Sequence, residues 1–90
     1  MTRLHFLIRG RVQGIGYRWF VRDSAGGLGV SGWVRNRADG SVEGEAEGAE
    51  EDLQRFVAML RDGHPDARVE DIETRKVEAQ GRKDDFDIRP

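Results

Sequence analysis

The expected architecture is an α+β sandwich, with two helices packed on one face of an antiparallel-containing sheet. Residues 3–9 alternate apolar and polar side chains as a half-buried strand does. Two later segments repeat their apolar residues at helical spacing, and between those segments lie two extended runs joined by a turn signal. A chain of 90 residues suits a single domain, residues 1–90, because that length buries roughly 60–65% of its unfolded surface in one two-layer core.

In the first strand Leu4, Phe6 and Ile8 face one way and Arg3, His5 and Arg9 the other, with Leu7 breaking the pattern. Tyr17, Phe20, Val21, Ala25 and Leu28 then form a helical stripe, and Gly27 and Gly29 sit where that helix should stop. Gly26 and Gly27 each weaken the last turn by about 1 kcal/mol relative to alanine, which predicts fraying after Ala25. Val30–Arg37 and Ser41–Glu47 flank Ala38-Asp39-Gly40, a turn signal that makes the two runs a hairpin. The second helix is expected over Ala49–Asp62. Leu53, Phe56, Val57 and Leu60 form its stripe, Glu50, Glu51 and Asp52 suit its positive end, and Gly63 and Pro65 stop it. Arg68–Glu78 alternates only in part, at Val69, Ile72 and Val77, and reads as a bulged edge strand. Gly81–Asp85 is a charged turn, after which Phe86 and Ile88 make a short last strand.

This order, β-α-β-β-α-β with room for an extra short edge strand, is the split βαβ or ferredoxin-like topology. It sets the third strand between the first and second, antiparallel to both. The C-terminal ends of the first two strands then share one sheet edge, roughly 10 Å apart across two strand spacings. The loop after Ile8 and the end of the Val30 strand become neighbours.

That loop holds the most informative stretch, G-R-V-Q-G-I-G-Y-R at residues 10–18. Gly10, Gly14 and Gly16 can take positive φ and turn neighbouring amides toward a common point, forming a concave nest for an anion. The candidate phosphate-binding loop is therefore Arg11, Val12, Gln13, Gly14, Ile15, Gly16 and Tyr17. The helix starting near Tyr17 adds free N–H groups and its positive dipole end. Arg18 adds a fixed charge and a planar fork of donors that matches phosphate oxygens. The same residues also suit a plain Gly-rich turn with a surface arginine. At the end of the second strand, Val30, Gly32, Val34 and Asn36 share the core-facing parity, while Ser31, Trp33, Arg35 and Arg37 point away. Asn36 thus falls at the edge beside the loop, where its amide can donate and accept, or cap its own turn.

Composition narrows the chemistry. No cysteine is present, which excludes disulfides, zinc–thiolate sites and a Cys nucleophile. The apolar stretch in M-T-R-L-H-F-L-I-R-G is interrupted by His5 and Arg9 and is too short for a signal peptide or membrane span, so a cytoplasmic protein is expected. The net charge of −2 hides a division: residues 1–37 carry seven arginines against Asp23, and residues 38–90 carry eight cations against sixteen acids. A basic first part favours small anions, while the acidic remainder repels RNA or DNA. The dinucleotide fingerprint lacks its last glycine, and no phosphate-binding G-x-x-x-x-G-K-[ST] occurs. Asp85 and Asp87 form a D-x-D that follows charged residues rather than a buried strand, and they read as a solvated terminus. His5 and His64 lack partners for metal ligation or acid–base work and read as spectators. Trp19 and Trp33 could stack a base or pack a core edge, but the third strand offers S-V-E-G-E-A-E instead of an RNA-binding aromatic signature.

Two long motifs, I-R-G-R-V-Q-G-I-G-Y-R at Ile8–Arg18 and G-W-V-R-N-R-A-D-G-S-V-E-G-E-A-E-G at Gly32–Gly48, resemble those of the acylphosphatases. These are small ferredoxin-like enzymes that hydrolyse the carboxyl–phosphate bond of acyl phosphates. The likeness covers nearly the whole chain. It departs at Ile15, where the family more often has valine, and at Tyr17, where it more often has phenylalanine. The resemblance implies that Arg18 binds phosphate together with the loop amides and that Asn36 positions the attacking water. The chemistry agrees, since an acyl phosphate leaves as a carboxylate of pKa about 4 and needs no general acid. The expected enzyme is a cytoplasmic monomer acting on a small-molecule acyl phosphate, with no metal, cofactor, nucleic-acid or membrane partner. The alternative is a non-catalytic anion- or RNA-binding module of the same fold.

Overall fold

A computed structural model describes residues 1–81 and 85–90. Its elements are β1 (Thr2–Arg11), α1 (Tyr17–Leu28), β2 (Ser31–Asn36), β3 (Val42–Gly48), α2 (Glu50–Asp62), β4 (Arg68–Val77) and β5 (Asp87–Arg89). The charged turn expected over residues 81–85 lies partly outside the described residues. The sheet order is β4-β1-β3-β2-β5. β3 runs antiparallel to both β1 and β2, and β5 adds parallel to β2 as the extra edge strand. This is the ferredoxin-like arrangement, and it brings the C-terminal ends of β1 and β2 to one edge.

The period-2 pattern of the strands delivers the core. Phe6 and Ile8 of β1, Val34 of β2, and Val42 and Ala46 of β3 are buried with Tyr17, Val21 and Ala25 of α1 and Leu53, Phe56 and Leu60 of α2. Phe6 meets Phe56 edge-on at 5.8 Å between ring centroids. Gly44 makes that contact possible, since a Cβ there would stand 2.4 Å from the Phe6 ring. Burial of each such side chain contributes roughly 1.5–3 kcal/mol. The two helices are also tied by polar contact: the Tyr17 hydroxyl donates to the Leu60 carbonyl at 2.6 Å, satisfying an acceptor that the last turn of α2 leaves free.

α1 continues to Leu28, three residues beyond the expected fraying point. Its end is closed by Gly29, whose N–H reaches Gly26 O, and by Val30, whose N–H reaches Ala25 O at 2.9 Å. This Schellman closure satisfies the carbonyls that a glycine-weakened turn would otherwise expose. The bulge expected in the edge strand is present: β4 skips Glu70 between the Arg9–Asp71 and Gly10–Val69 pairs. Gly10 belongs to this pairing rather than to the nest assigned it from sequence, because a Cβ there would lie 2.0 Å from the Arg68 carbonyl oxygen.

The other face of the sheet is laced with charge pairs, and the Gln80–Gly81 segment covers it at Glu47. Arg3 bonds Glu45 and Glu47, Arg9 pairs with Asp71 and Glu73, and Arg35 pairs with Glu43. His5, read from sequence as lacking a partner, has one: its Nε2 lies 2.9 Å from Glu43 Oε2. Cross-strand neighbours on an antiparallel pair come close enough for this wherever both face the same side.

Candidate active site

The β1–α1 loop turns at Gly14 (φ 77°) and Gly16 (φ 74°), a region in which a Cβ would be strained. Gly16 is also the N-cap of α1 and supplies no side-chain hydrogen bond, and no acidic residue occupies the first turn. α2 is built the opposite way, with Glu50, Glu51 and Asp52 in its first turn. The positive end of α1 is therefore left bare for an external anion, whereas that of α2 is met by its own carboxylates.

In front of this helix end is a pocket of about 230 Å³ lined by Val12, Gly14, Gly16, Tyr17, Arg18, Trp19 and Asn36. The sheet order accounts for the meeting of Arg18 and Asn36, since β2 ends beside the loop that leaves β1. Arg18 Nη1 donates to the Arg89 carbonyl at 3.1 Å, so β5 orients the guanidinium with a neutral acceptor. Across the pocket, Asn36 Oδ1 is buried and has no hydrogen-bond partner among the described residues. A buried acceptor left unpaired calls for a ligand or water donor. Its expected alternative, capping its own turn, does not use this oxygen; Asp39 holds the hairpin instead by accepting from the Ser41 amide at 3.0 Å.

The remaining loop residues divide. Val12, Gly14, Gly16 and Tyr17 line the pocket with Arg18. Tyr17 turns its phenol away into the core, where burial pushes it well above its ordinary pKa of 10.0. Arg11 is the last residue of β1, exposed and paired in register with Arg68. The Gln13 side chain donates to the Arg37 and Ser41 carbonyls at 2.8 and 2.9 Å, which ties the loop to the β2–β3 hairpin. Ile15 packs against the core. Trp19 lines the pocket although the sequence assigned it no such place; the signal available was its position beside Arg18, off the apolar stripe of α1. His64 lies away from the pocket, stacked edge-on against Phe20 at 5.3 Å. Among the described residues no group of three His, Asp or Glu side chains could hold a metal ion.

A bare helix end, an arginine held by a neutral carbonyl and an unpaired carboxamide oxygen meet at one corner of a ferredoxin-like sheet, an arrangement suited to a small anion. The acylphosphatase family model matches residues 4–88. The acylphosphatase of Pyrobaculum calidifontis is 43% identical, with 100% of this chain and 83% of the relative aligned. That of Treponema denticola is 47% identical over 93% of this chain and 89% of the relative. The crystal structure of the Bacillus subtilis acylphosphatase superposes with a TM-score of 0.94 at 39% identity, covering 100% of both chains. The chain belongs to the acylphosphatase family.

Proposed function

We propose that the chain hydrolyses small acyl phosphates to a carboxylate and inorganic phosphate by in-line attack of water. Arg18 and the amides of the loop and the α1 N-terminus hold the phosphoryl group, and the Asn36 carboxamide holds the water. The observation that carries this reading is the unpaired, buried oxygen of Asn36, a residue that lines the same pocket of about 230 Å³ as Arg18.

The reaction asks little else of the protein. The leaving carboxylate is stable unprotonated at neutral pH, with a pKa of about 4, so no general acid is needed. Charge spread over three phosphoryl oxygens must be neutralised by donors already in place, and the water must lie in line with the breaking bond. The pocket lining contains no Asp, Glu or His, and the Tyr17 phenol is engaged with Leu60. The acceptor for the water proton is then a phosphoryl oxygen of the substrate itself.

The proposal includes a single 90-residue domain acting as a cytoplasmic monomer without metal or nucleic acid. In support, the sheet face opposite the helices pairs its arginines with acids, which leaves little net positive charge there for a polyanion. Among the described residues, no helix is long and apolar enough to cross a membrane. The test is loss of acetyl or benzoyl phosphate in the presence of a chelator. Arg18→Gln should lose both turnover and inorganic-phosphate binding, because ground and transition states use the same charge. Asn36→Ala should lose rate by about 100-fold or more while still binding inorganic phosphate. Full activity in Asn36→Ala would remove the water-holding role. Absence of turnover together with salt-sensitive RNA binding would favour the non-catalytic module.

A further inference from the structure

Trp19 follows Arg18 in the first turn of α1 and lines the same pocket, yet it is 57% exposed and takes no part in the core. The apolar stripe of α1 passes through Tyr17, Val21 and Ala25, so the indole is not needed to hold the helix down. Arg22, one turn on, places its guanidinium carbon 4.2 Å from the ring centroid. That cation–π contact covers one face and restricts the rotamer. The result is a flat apolar surface fixed at the lip of an otherwise polar cradle.

We propose that Trp19 is the specificity-determining platform for the acyl group, favouring substrates whose acyl end is aromatic or otherwise flat and apolar. This rests on the acyl-phosphate reading above. In an acyl phosphate a single bridging oxygen joins phosphorus to the acyl carbon, so a phosphoryl group seated against Arg18 leaves its acyl end at the same pocket, whose lining includes the indole. Of the residues lining the pocket, Val12 and Tyr17 are buried and two are glycine, which leaves the indole as the large apolar surface at its mouth. An aromatic acyl group stacking there removes apolar area of both rings from water and gains offset or edge-to-face contact. An acetyl group is too small to reach across it.

The experiment compares benzoyl phosphate with acetyl phosphate in the wild type, Trp19→Ala and Trp19→Phe. Trp19→Ala should raise KM for benzoyl phosphate about five- to tenfold, well beyond any change in kcat or in the acetyl phosphate constants, and Trp19→Phe should restore most of the loss. Inhibition by phenylphosphonate and methylphosphonate reports binding without turnover, and only the phenyl compound should weaken in Trp19→Ala. A loss shared equally by both substrates, or an unchanged benzoyl phosphate KM, would overturn the proposal. If the wild type turns over neither substrate, the hydrolase reading fails by itself. The phosphonate pair then still decides the platform: a phenyl preference that depends on Trp19 upholds it, and no such preference removes it.

Discussion

Replacing Glu47 by glutamine should strongly destabilise the protein without touching the active pocket. Glu47 is fully buried on the sheet, and its oxygens accept from the Gln80 amide at 2.7 Å, the Gly81 amide at 2.8 Å and Arg3 Nη1 at 3.3 Å. Glutamine keeps one acceptor and turns the other into a donor that faces a donor. Hydrogen bonds to a charged group contribute about 1.5–3 kcal/mol each, and breaking a buried pair from one side costs about 3–5 kcal/mol. Arg3 keeps its 2.6 Å bond to Glu45, which places the expected loss near the lower figure, about 3 kcal/mol. For a domain of this size that lowers the melting temperature by roughly 12–24 °C. The pH dependence gives an independent check. Burial alone would raise the Glu47 carboxyl, but the Gln80 amide, Arg3 and the Gly81 amide outweigh it and hold the carboxyl below its ordinary 4.5. As pH falls the unfolded chain therefore takes up the proton first, so this stabilisation is complete above about 4.5 and drains away through the lower folded value. Glu43 and Asp39 are also held low, by hydrogen bonds from His5 and from Ser41, so both proteins weaken in acid. The difference between them isolates Glu47. Thermal melts at neutral pH and at successively lower pH should show a wide gap that closes in acid. A Glu47→Gln protein that melts within about 3 °C of wild type at neutral pH, or a gap that stays constant into acid, would refute this reasoning.

Tyr17→Phe removes the hydroxyl that serves Leu60 and should cost about 1–2 kcal/mol in a chemical denaturation experiment at neutral pH. Above the ordinary phenol pKa of 10.0 the unfolded chain ionises while burial keeps the folded phenol protonated, so the wild type loses this advantage there and the gap should narrow. Gly44→Ala would put a Cβ 2.2 Å from the Trp33 carbonyl oxygen and 2.4 Å from the Phe6 ring. Parting β2 from β3 or displacing Phe6 should cost about 1–3 kcal/mol, read as a lower melting temperature with activity at room temperature retained.

Most of the architecture was legible because the patterns are local. Alternation in β1, the helical stripes and the hairpin signal each specify an element from its own residues, and the split βαβ order then fixes which strand ends meet. Arg18 and Asn36 could be paired from sequence on that ground alone. What the sequence left unclear depends on partners far along the chain. The extension of α1 through Gly26 and Gly27 depends on Gly29 and Val30 closing it, a capping effect that outweighs two unfavourable propensities. Gly10 looked like part of a nest, and its need for a bare Cα comes from Arg68, which no local pattern connects to it. His5 acquired its carboxylate from β3, and Trp19 lines the pocket only because Asn36 and the loop complete the other sides.

The division of charge along the chain takes on a definite meaning in three dimensions. Of the seven arginines in residues 1–37, Arg3, Arg9, Arg22, Arg35 and Arg37 each pair with a carboxylate. Arg11 and Arg18 form no ion pair among the described residues. Apart from the buried pairs of Arg3, these are exposed pairs that contribute little to stability, about 0–1 kcal/mol each, but all of them cancel positive potential where they stand. An extended polyanion crossing the sheet face opposite the helices would meet alternating signs and release few counterions. A single phosphoryl group entering the pocket meets a guanidinium whose partner, the Arg89 carbonyl, orients it without neutralising it. These carboxylates thus leave usable positive charge at one corner of the sheet, which is the field that a small, doubly charged substrate needs.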